Sequence, residues 1–159
     1  MEELEPQGEV LEQEINGRRV KLENRKLFIF KGKSWREKKG TINNLGYRVL
    51  WVGDKTLTFH RIIWKLHHPE FNMTYTTGDL EIDHIDRDRA NNNIENLRSV
   101  TRAQNQWNRA AKGYYFNAKS NRFQSYIRYG GKQKHLGCYD TAEEASASYQ
   151  LAKKQYHII

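Results

Sequence analysis

The stretch EIDHIDRDRANNNIENL, residues 81–97, sets Asp83 beside His84 and returns through a run of asparagines to Asn96. Ile82, Ile85, Ile94 and Leu97 recur inside it like the apolar side of two short strands, so the polar groups are expected to sit on a frame rather than in a free surface loop. SVTRAQNQWNRA follows at 99–110, where Thr101 and, three residues on, Gln104 form a capping box that predicts a helix starting at Thr101. The expected order is strand, polar loop, strand, helix.

Upstream, LFIF at 27–30, GYRVLWV at 46–52 and TLTFH at 56–60 are rich in β-formers. Gly53-Asp54 marks a hairpin turn between the last two. RIIWKLHH then takes helical spacing, with Ile62, Ile63 and Leu66 on one side and Pro69 as its stop. Residues 1–24 are polar and acidic, and Pro6, Gly8 and Gly17 interrupt any helix, so they read as a weakly ordered lead-in. Downstream, Lys112-Gly113 breaks the pattern. Three short strands are expected at 114–116, 122–129 and 134–139, with turns at Asn121 and Gly130-Gly131. A second capping box, Thr141 with Glu144, opens a last helix that lines Ala142, Ala145, Tyr149, Ala152 and Tyr156 along one face. This divides the chain into residues 1–24, 25–110 and 111–159.

The chain has 159 residues, 37% hydrophobic content and four Trp, enough for modest cores only. No apolar run approaches the roughly 20 residues that span a bilayer, and the acidic opening lacks the features of a secretory signal. A cytoplasmic protein with no membrane partner is the expectation. Cys138 is the single cysteine, which excludes an internal disulfide and a multi-cysteine zinc site. The net charge of +8 conceals an asymmetry: residues 1–24 hold seven acids and three bases, and residues 25–159 carry 24 bases against 12 acids. Such an excess favours a polyanion, because Lys and Arg displace condensed counterions from nucleic acid.

Hydrolysis of a phosphodiester needs charge neutralised on phosphate and leaving oxygen, and a water deprotonated. If the strand ends near Asp83 and His84, the carboxylate can take a hard cation while the imidazole addresses the water. The capped helix offers Asn105 as a second oxygen donor. So few protein ligands leave positions for water and phosphate oxygens, as magnesium prefers. Asn91, Asn92 and Asn93 read as loop residues, with Asn92 or Asn93 near phosphate. His67, His68 and His157 read as surface or packing histidines.

DHIDRDRANNNIENLRSVTRAQNQWN resembles the core motif of HNH endonucleases, the ββα-metal group, in particular the phage and intron-encoded homing type. The resemblance implies one divalent ion, Mg2+ or Mn2+, on Asp83 and Asn105. His84 becomes the general base, and Asn96 the middle residue that braces the loop and orients the histidine. Asn105 stands where other branches have His. His60 and Arg61, in FHRIIW, match a His-Arg pair that precedes such cores, and a structural or phosphate-contacting role is expected there.

In RFQSYIRY, Phe123, Ser125 and Ile127 alternate with Arg122, Gln124, Tyr126 and Arg128, so one face packs and the other is basic, polar and aromatic. With the last helix on the first face, the second can enter a major groove. GYYFNAKSNRFQSYIRYGGKQKHLGCYDTAEEASASYQLA resembles the plant ethylene-response-factor (Apetala-type) DNA-binding domain. That resemblance implies DNA contacts by Tyr115, Asn117, Arg122, Gln124, Tyr126, Arg128, Gln133 and His135. Tyr115, Gln133 and His135 depart from the plant pattern, so the plant target sequence does not carry over. The expected architecture is therefore α+β, a ββα-metal nuclease core followed by a small three-stranded antiparallel sheet plus one helix. The expected function is a metal-dependent, site-preferring endonuclease acting on double-stranded DNA, nicking once per chain, in the cytoplasm of a bacterial or phage-infected host cell, with no obligatory protein partner. The rival readings are a DNA-binding regulator on an inactive nuclease scaffold, and a protein acting on RNA.

Overall fold

Asn-Gly between alternating apolar residues is the strongest short-range hairpin signal, since both central positions of a type I′ turn need positive φ. Asn16 (φ 48°) and Gly17 (φ 67°) make that turn in the computed structural model, which describes residues 9–74 and 80–158. They join β1 (Leu11–Ile15) to β2 (Arg18–Glu23). Residues 11–23 are thus strands of a sheet and not a weakly ordered lead-in. Gly17, read as an interruption, is what folds them back. Pro6 and Gly8 lie outside the described residues. Two more two-residue turns, Asn24-Arg25 and Gly32-Lys33, add β3 (Lys26–Lys31) and β4 (Ser34–Lys38), so the sheet runs in the order β1-β2-β3-β4, antiparallel throughout.

The short β5 (Thr41–Ile42) pairs with β6 (Arg48–Val52), which pairs with β7 (Lys55–Thr58) across the expected Gly53-Asp54 turn. Helix α1 (Phe59–His67) begins directly after β7. Phe59 and His60, expected at the end of a strand, form its first turn, because both are needed inward with Ile62, Ile63 and Leu66. That stripe packs on Val20, Leu22, Leu27 and Ile29 of the first sheet, with Leu50, Val52, Ile82 and Leu97 completing one core. Each such side chain, fully buried, contributes roughly 1.5–3 kcal/mol. At the far end of α1, Gln13 Nε2 donates to the carbonyls of Lys65 (2.9 Å) and Leu66 (3.2 Å), satisfying C-terminal acceptors that the helix leaves over.

β8 (Glu81–His84) and β9 (Leu97–Val100) form a two-stranded antiparallel ribbon, with a 3-10 turn over Ile94–Asn96 leading into β9. Helix α2 (Arg102–Trp107) starts one residue after Thr101. The chain divides into two compact units, Met1–Thr101 and Arg102–Ile159. The boundary falls between β9 and α2, whereas residue 110 was expected to end the nuclease segment.

The second unit carries α2 and a sheet of β10 (Tyr114–Asn117), β11 (Arg122–Tyr129) and β12 (Lys132–Tyr139), in that order. Gly130 (φ 58°) and Gly131 (φ 74°) supply the paired positive angles of the β11–β12 turn. Helix α3 (Ala142–Tyr156) has the capping box in full: Glu144 N–H donates to Thr141 Oγ1 and the Thr141 N–H to Glu144 Oε2. Ala145 and Ala152 are buried, with no side-chain bulk to hold the helix off the strands. Tyr149 packs on Ile127 beneath them. The described residues are thus mixed α and β, with several small antiparallel sheets and three α-helices among them. Among the described residues no helix is long and apolar enough to cross a membrane.

Candidate active site

β8 runs inward and stops at His84, and this ending lets neighbouring residues on one strand both be buried. Asp83 is 7% exposed and His84 4%. A carboxylate at that depth needs a partner, and Arg98, directly across the ribbon, provides it. Its Nε and Nη2 both donate to Asp83 Oδ2, at 3.0 and 2.9 Å. Arg98 was not singled out from the sequence, although its register opposite Asp83 follows once the ribbon is drawn. An ionised carboxylate accepts at about four lone-pair sites, so this guanidinium and a cation are chemically compatible on one Asp.

The His84 ring meets Asn92, with Nε2 3.1 Å from Oδ1. The Asn92 amide is oriented from its other side, because its Nδ2 donates to the Ala90 carbonyl at 2.9 Å. The amide oxygen therefore faces the imidazole. In the neutral ring Nε2 is then the donor, and the basic lone pair sits on Nδ1. Two more rings pack the histidine: His60, edge-on at 4.9 Å between centroids, and Tyr47 at 6.0 Å. Nothing in the local sequence pointed to Tyr47, which comes from the β5–β6 connection.

His60 is itself 7% exposed, in contact with Tyr47 and 3.3 Å from Thr58 Oγ1 through Nε2, while its Nδ1 is buried with no hydrogen-bond partner. Burial first, then the neighbouring His84 and Arg61, push its pKa down to about 3, so the ring is neutral. Of its two expected roles, this position suits bracing. Arg61 lies over the Phe71 ring and donates to the Met73 carbonyl at 3.0 Å.

Asn96 ties the loop after β8 shut. Its Oδ1 accepts from the Asp86 N–H (3.0 Å), its Nδ2 donates to Asp86 Oδ1 (2.9 Å) and to the Asn91 carbonyl (2.8 Å), and its carbonyl accepts from the Ile85 N–H (2.8 Å). Asp86 also accepts from Asn91 Nδ2 and the Asp88 N–H. The hydrogen bonds from Asn91 and Asn96 hold its carboxyl below the ordinary carboxylate range. Asp86 was passed over as loop, yet it is the acceptor around which the loop closes.

Asn105 lies on α2 in the second unit, half-buried. Among the described residues no three His, Cys, Asp or Glu side chains come together as a metal cluster. Oxygen donors suit a hard cation, and Asp83 offers a buried carboxylate in the first unit while Asn105 offers an amide in the second.

In the second unit the eight residues expected to face DNA share one sheet face. Tyr115 stands opposite Gln124, Asn117 opposite Arg122, Tyr126 opposite His135 and Arg128 opposite Gln133. Ser125 and Ile127 point the other way, buried, with Ile127 in the core formed with α3. The Tyr115 and Tyr126 rings stack at 5.6 Å, and both hydroxyls donate to Gln124 Oε1, at 2.6 and 3.0 Å. Tyr126 also packs on His135. Arg122 pairs with Asp140 at 2.9 Å, an exposed contact of small energetic weight. A register shift between Ser125 and Tyr126 leaves Leu136 as an extra residue of β12, so that Cys138 and not Gly137 stands opposite Gln124.

No curated protein and no solved structure matches this chain. Residues 58–107, from the last residue of β7 to the end of α2, match a family model described as HNH endonuclease, and that segment contains Asp83, His84, Asn96 and Asn105.

Proposed function

We propose that the chain is a metal-dependent, site-preferring DNA endonuclease of the homing type, with the sheet of the second unit as its reader. The observation that carries this reading is the buried pair at the end of β8, a carboxylate next to an imidazole whose tautomer is set by a fixed amide. Asp83 and Asn105 would hold one divalent cation, magnesium or manganese, which when bound neutralises charge on the phosphate and on the departing oxygen. His84 takes a proton from water at Nδ1, and the water oxygen attacks phosphorus in line. The bond from phosphorus to the 3′ oxygen breaks and that oxygen takes a proton from solvent, leaving a 5′ phosphate and a 3′ hydroxyl. Asn92 holds the ring so that Nδ1 is the basic nitrogen, and Asn96 keeps the loop that carries Asn92 closed. His60 packs edge-on against His84, and Arg61 is assigned to phosphate contact. Tyr115, Asn117, Arg122, Gln124, Tyr126, Arg128, Gln133 and His135 present donors, acceptors and rings to base edges and backbone. One base and one ion act on one strand, so a single chain nicks.

Plasmid nicking by the parent chain and by His84→Ala, each with Mg2+, Mn2+ or EDTA, tests this. The parent converts supercoiled to open-circular DNA only with the ion, and His84→Ala is slower by at least about 100-fold while still binding. Cutting by His84→Ala at the parental rate would refute the base assignment. Binding without any cutting by the parent would instead favour a regulator on an inactive scaffold. Preference for structured RNA over duplex at matched salt would redirect the reading to RNA.

A further inference from the structure

A cleft of about 850 Å3 opens in the first unit between the first sheet and the asparagine loop, floored by Phe59 and Ile63 of α1. Arg25, Lys26, Lys38, Lys39 and Arg48 line it, against the acids Glu9, Glu37 and Glu95. Lys26 and Glu37 stand 3.9 Å apart and offset one another. The remaining balance is cationic. Arg48 Nη1 donates to the Lys39 carbonyl at 2.8 Å, which holds the Arg48 guanidinium against the backbone that carries Lys39. The opposite wall is the loop containing Asn91, Asn92 and Asn93, whose neutral amides add donors without adding negative charge. Asn92, on this wall, is also the residue that holds His84, so the cleft and the candidate base share a side chain.

Arg25 occupies a costly position. It is the second central residue of the β2–β3 turn, with φ 61° after Asn24 at 49°. One hairpin earlier the same position is Gly17, at φ 67°. A non-glycine residue in the left-handed region costs about 1 kcal/mol, and Gly would serve this turn better. Arg here trades backbone ease for a guanidinium on the rim of the cleft.

We propose that this cleft seats the phosphodiester backbone of the DNA strand that runs to the cut, with Arg25, Lys38, Lys39 and Arg48 as phosphate contacts. The proposal rests on the endonuclease reading and extends the DNA-binding surface into residues 9–57, upstream of the segment that matches the nuclease family. It assigns a role to a sheet that the chemistry of Asp83 and His84 does not use.

The test measures binding of a labelled mixed-sequence duplex to the full chain in EDTA, over a series of salt concentrations, with thermal melting in parallel. Arg25→Gly is expected to melt at or above the parental temperature, to bind about three- to tenfold more weakly near 0.1 M salt, and to lower the slope of log K against log salt by about one. Lys39→Ala should do the same to binding from the opposite end of the wall. Lys33→Ala removes an equal charge from the exposed β3–β4 turn, outside the cleft, and should stay within about twofold of the parent. Parental affinity and slope for Arg25→Gly and Lys39→Ala, or an equal loss from Lys33→Ala, overturns the assignment. If the parent nicks plasmid and Arg25→Gly binds like the parent, the cleft fails alone. If the parent binds without nicking while Arg25→Gly and Lys39→Ala lose affinity as stated, the nuclease reading fails and the cleft stands.

Discussion

Asn92 and His60 show how neighbours set the state of a single ring. Asn92 faces His84 with an oxygen because its nitrogen is occupied by the Ala90 carbonyl. Alanine there removes the constraint on the tautomer but leaves the imidazole. Asn92→Ala is expected to slow single-turnover nicking by about 10- to 100-fold, as loss of a supporting partner does around a reacting group, with duplex affinity within about threefold of the parent. Unchanged nicking would remove Asn92 from the machinery. His60 carries a different consequence. The unfolded chain takes up a proton at this residue near pH 6.5, and the folded chain refuses it until about pH 3. A depressed histidine pKa of this kind lowers stability as pH falls through that window. Thermal melting from pH 7 to pH 4 should therefore show a decline that His60→Phe flattens, and parallel curves for the two chains would show that burial at this site has no such effect.

At the scale of elements, the ribbon of β8 and β9 is short, and its connecting loop is held by side chains more than by backbone ladder. Asn96 alone makes three side-chain hydrogen bonds, to the Asp86 N–H, Asp86 Oδ1 and the Asn91 carbonyl. Asn96→Ala should destabilise the first unit by about 2 kcal/mol at roughly 1 kcal/mol for each well-made bond less some relaxation, read as a shift of the urea midpoint. Amide hydrogen exchange of Ile85 and Asp86 should quicken with it. Asp86 adds a sign that can be checked. Its carboxyl is held below the ordinary range, so the support it gives the loop is present above that range and is lost as pH drops through the lowered value. Loop exchange that accelerates already near pH 6 would contradict this. The ordering of the first sheet follows the same logic of local devices, with three two-residue turns, Asn16-Gly17, Asn24-Arg25 and Gly32-Lys33, returning the chain at fixed register.

For the whole molecule, each of the two units has its own core, a large one under the first sheet and α1 and a small one of Ile127, Tyr149 and Ala152 under α3. The small core leaves the second unit with little reserve. Gly113 sits against it at φ +75°, and a Cβ there would collide with the Tyr149 ring. Gly113→Ala is expected to cost more than about 2 kcal/mol through backbone strain and overpacking together. The loss should appear as early melting of residues 102–159, with amide signals of β2, β3 and α1 unmoved. Parental melting of both sets would mean that the close approach relaxes freely. Much of this molecule was legible from residue pattern: the last helix with its capping box, the strands of the second sheet, the turns at Gly53-Asp54 and Gly130-Gly131, and the grouping of Asp83, His84 and Asn96 in one stretch. These are short-range signals, carried by periodicity, turn chemistry and spacing along the chain. Strands β1 and β2 were missed because an acidic composition outweighed an Asn-Gly turn that was there to be read, while LFIF of β3 was read as a strand. Arg98, Asp86, Tyr47 and the burial of His60 were decided only in three dimensions, where cross-strand register, loop closure and packing choose partners by distance in space and not by distance along the chain.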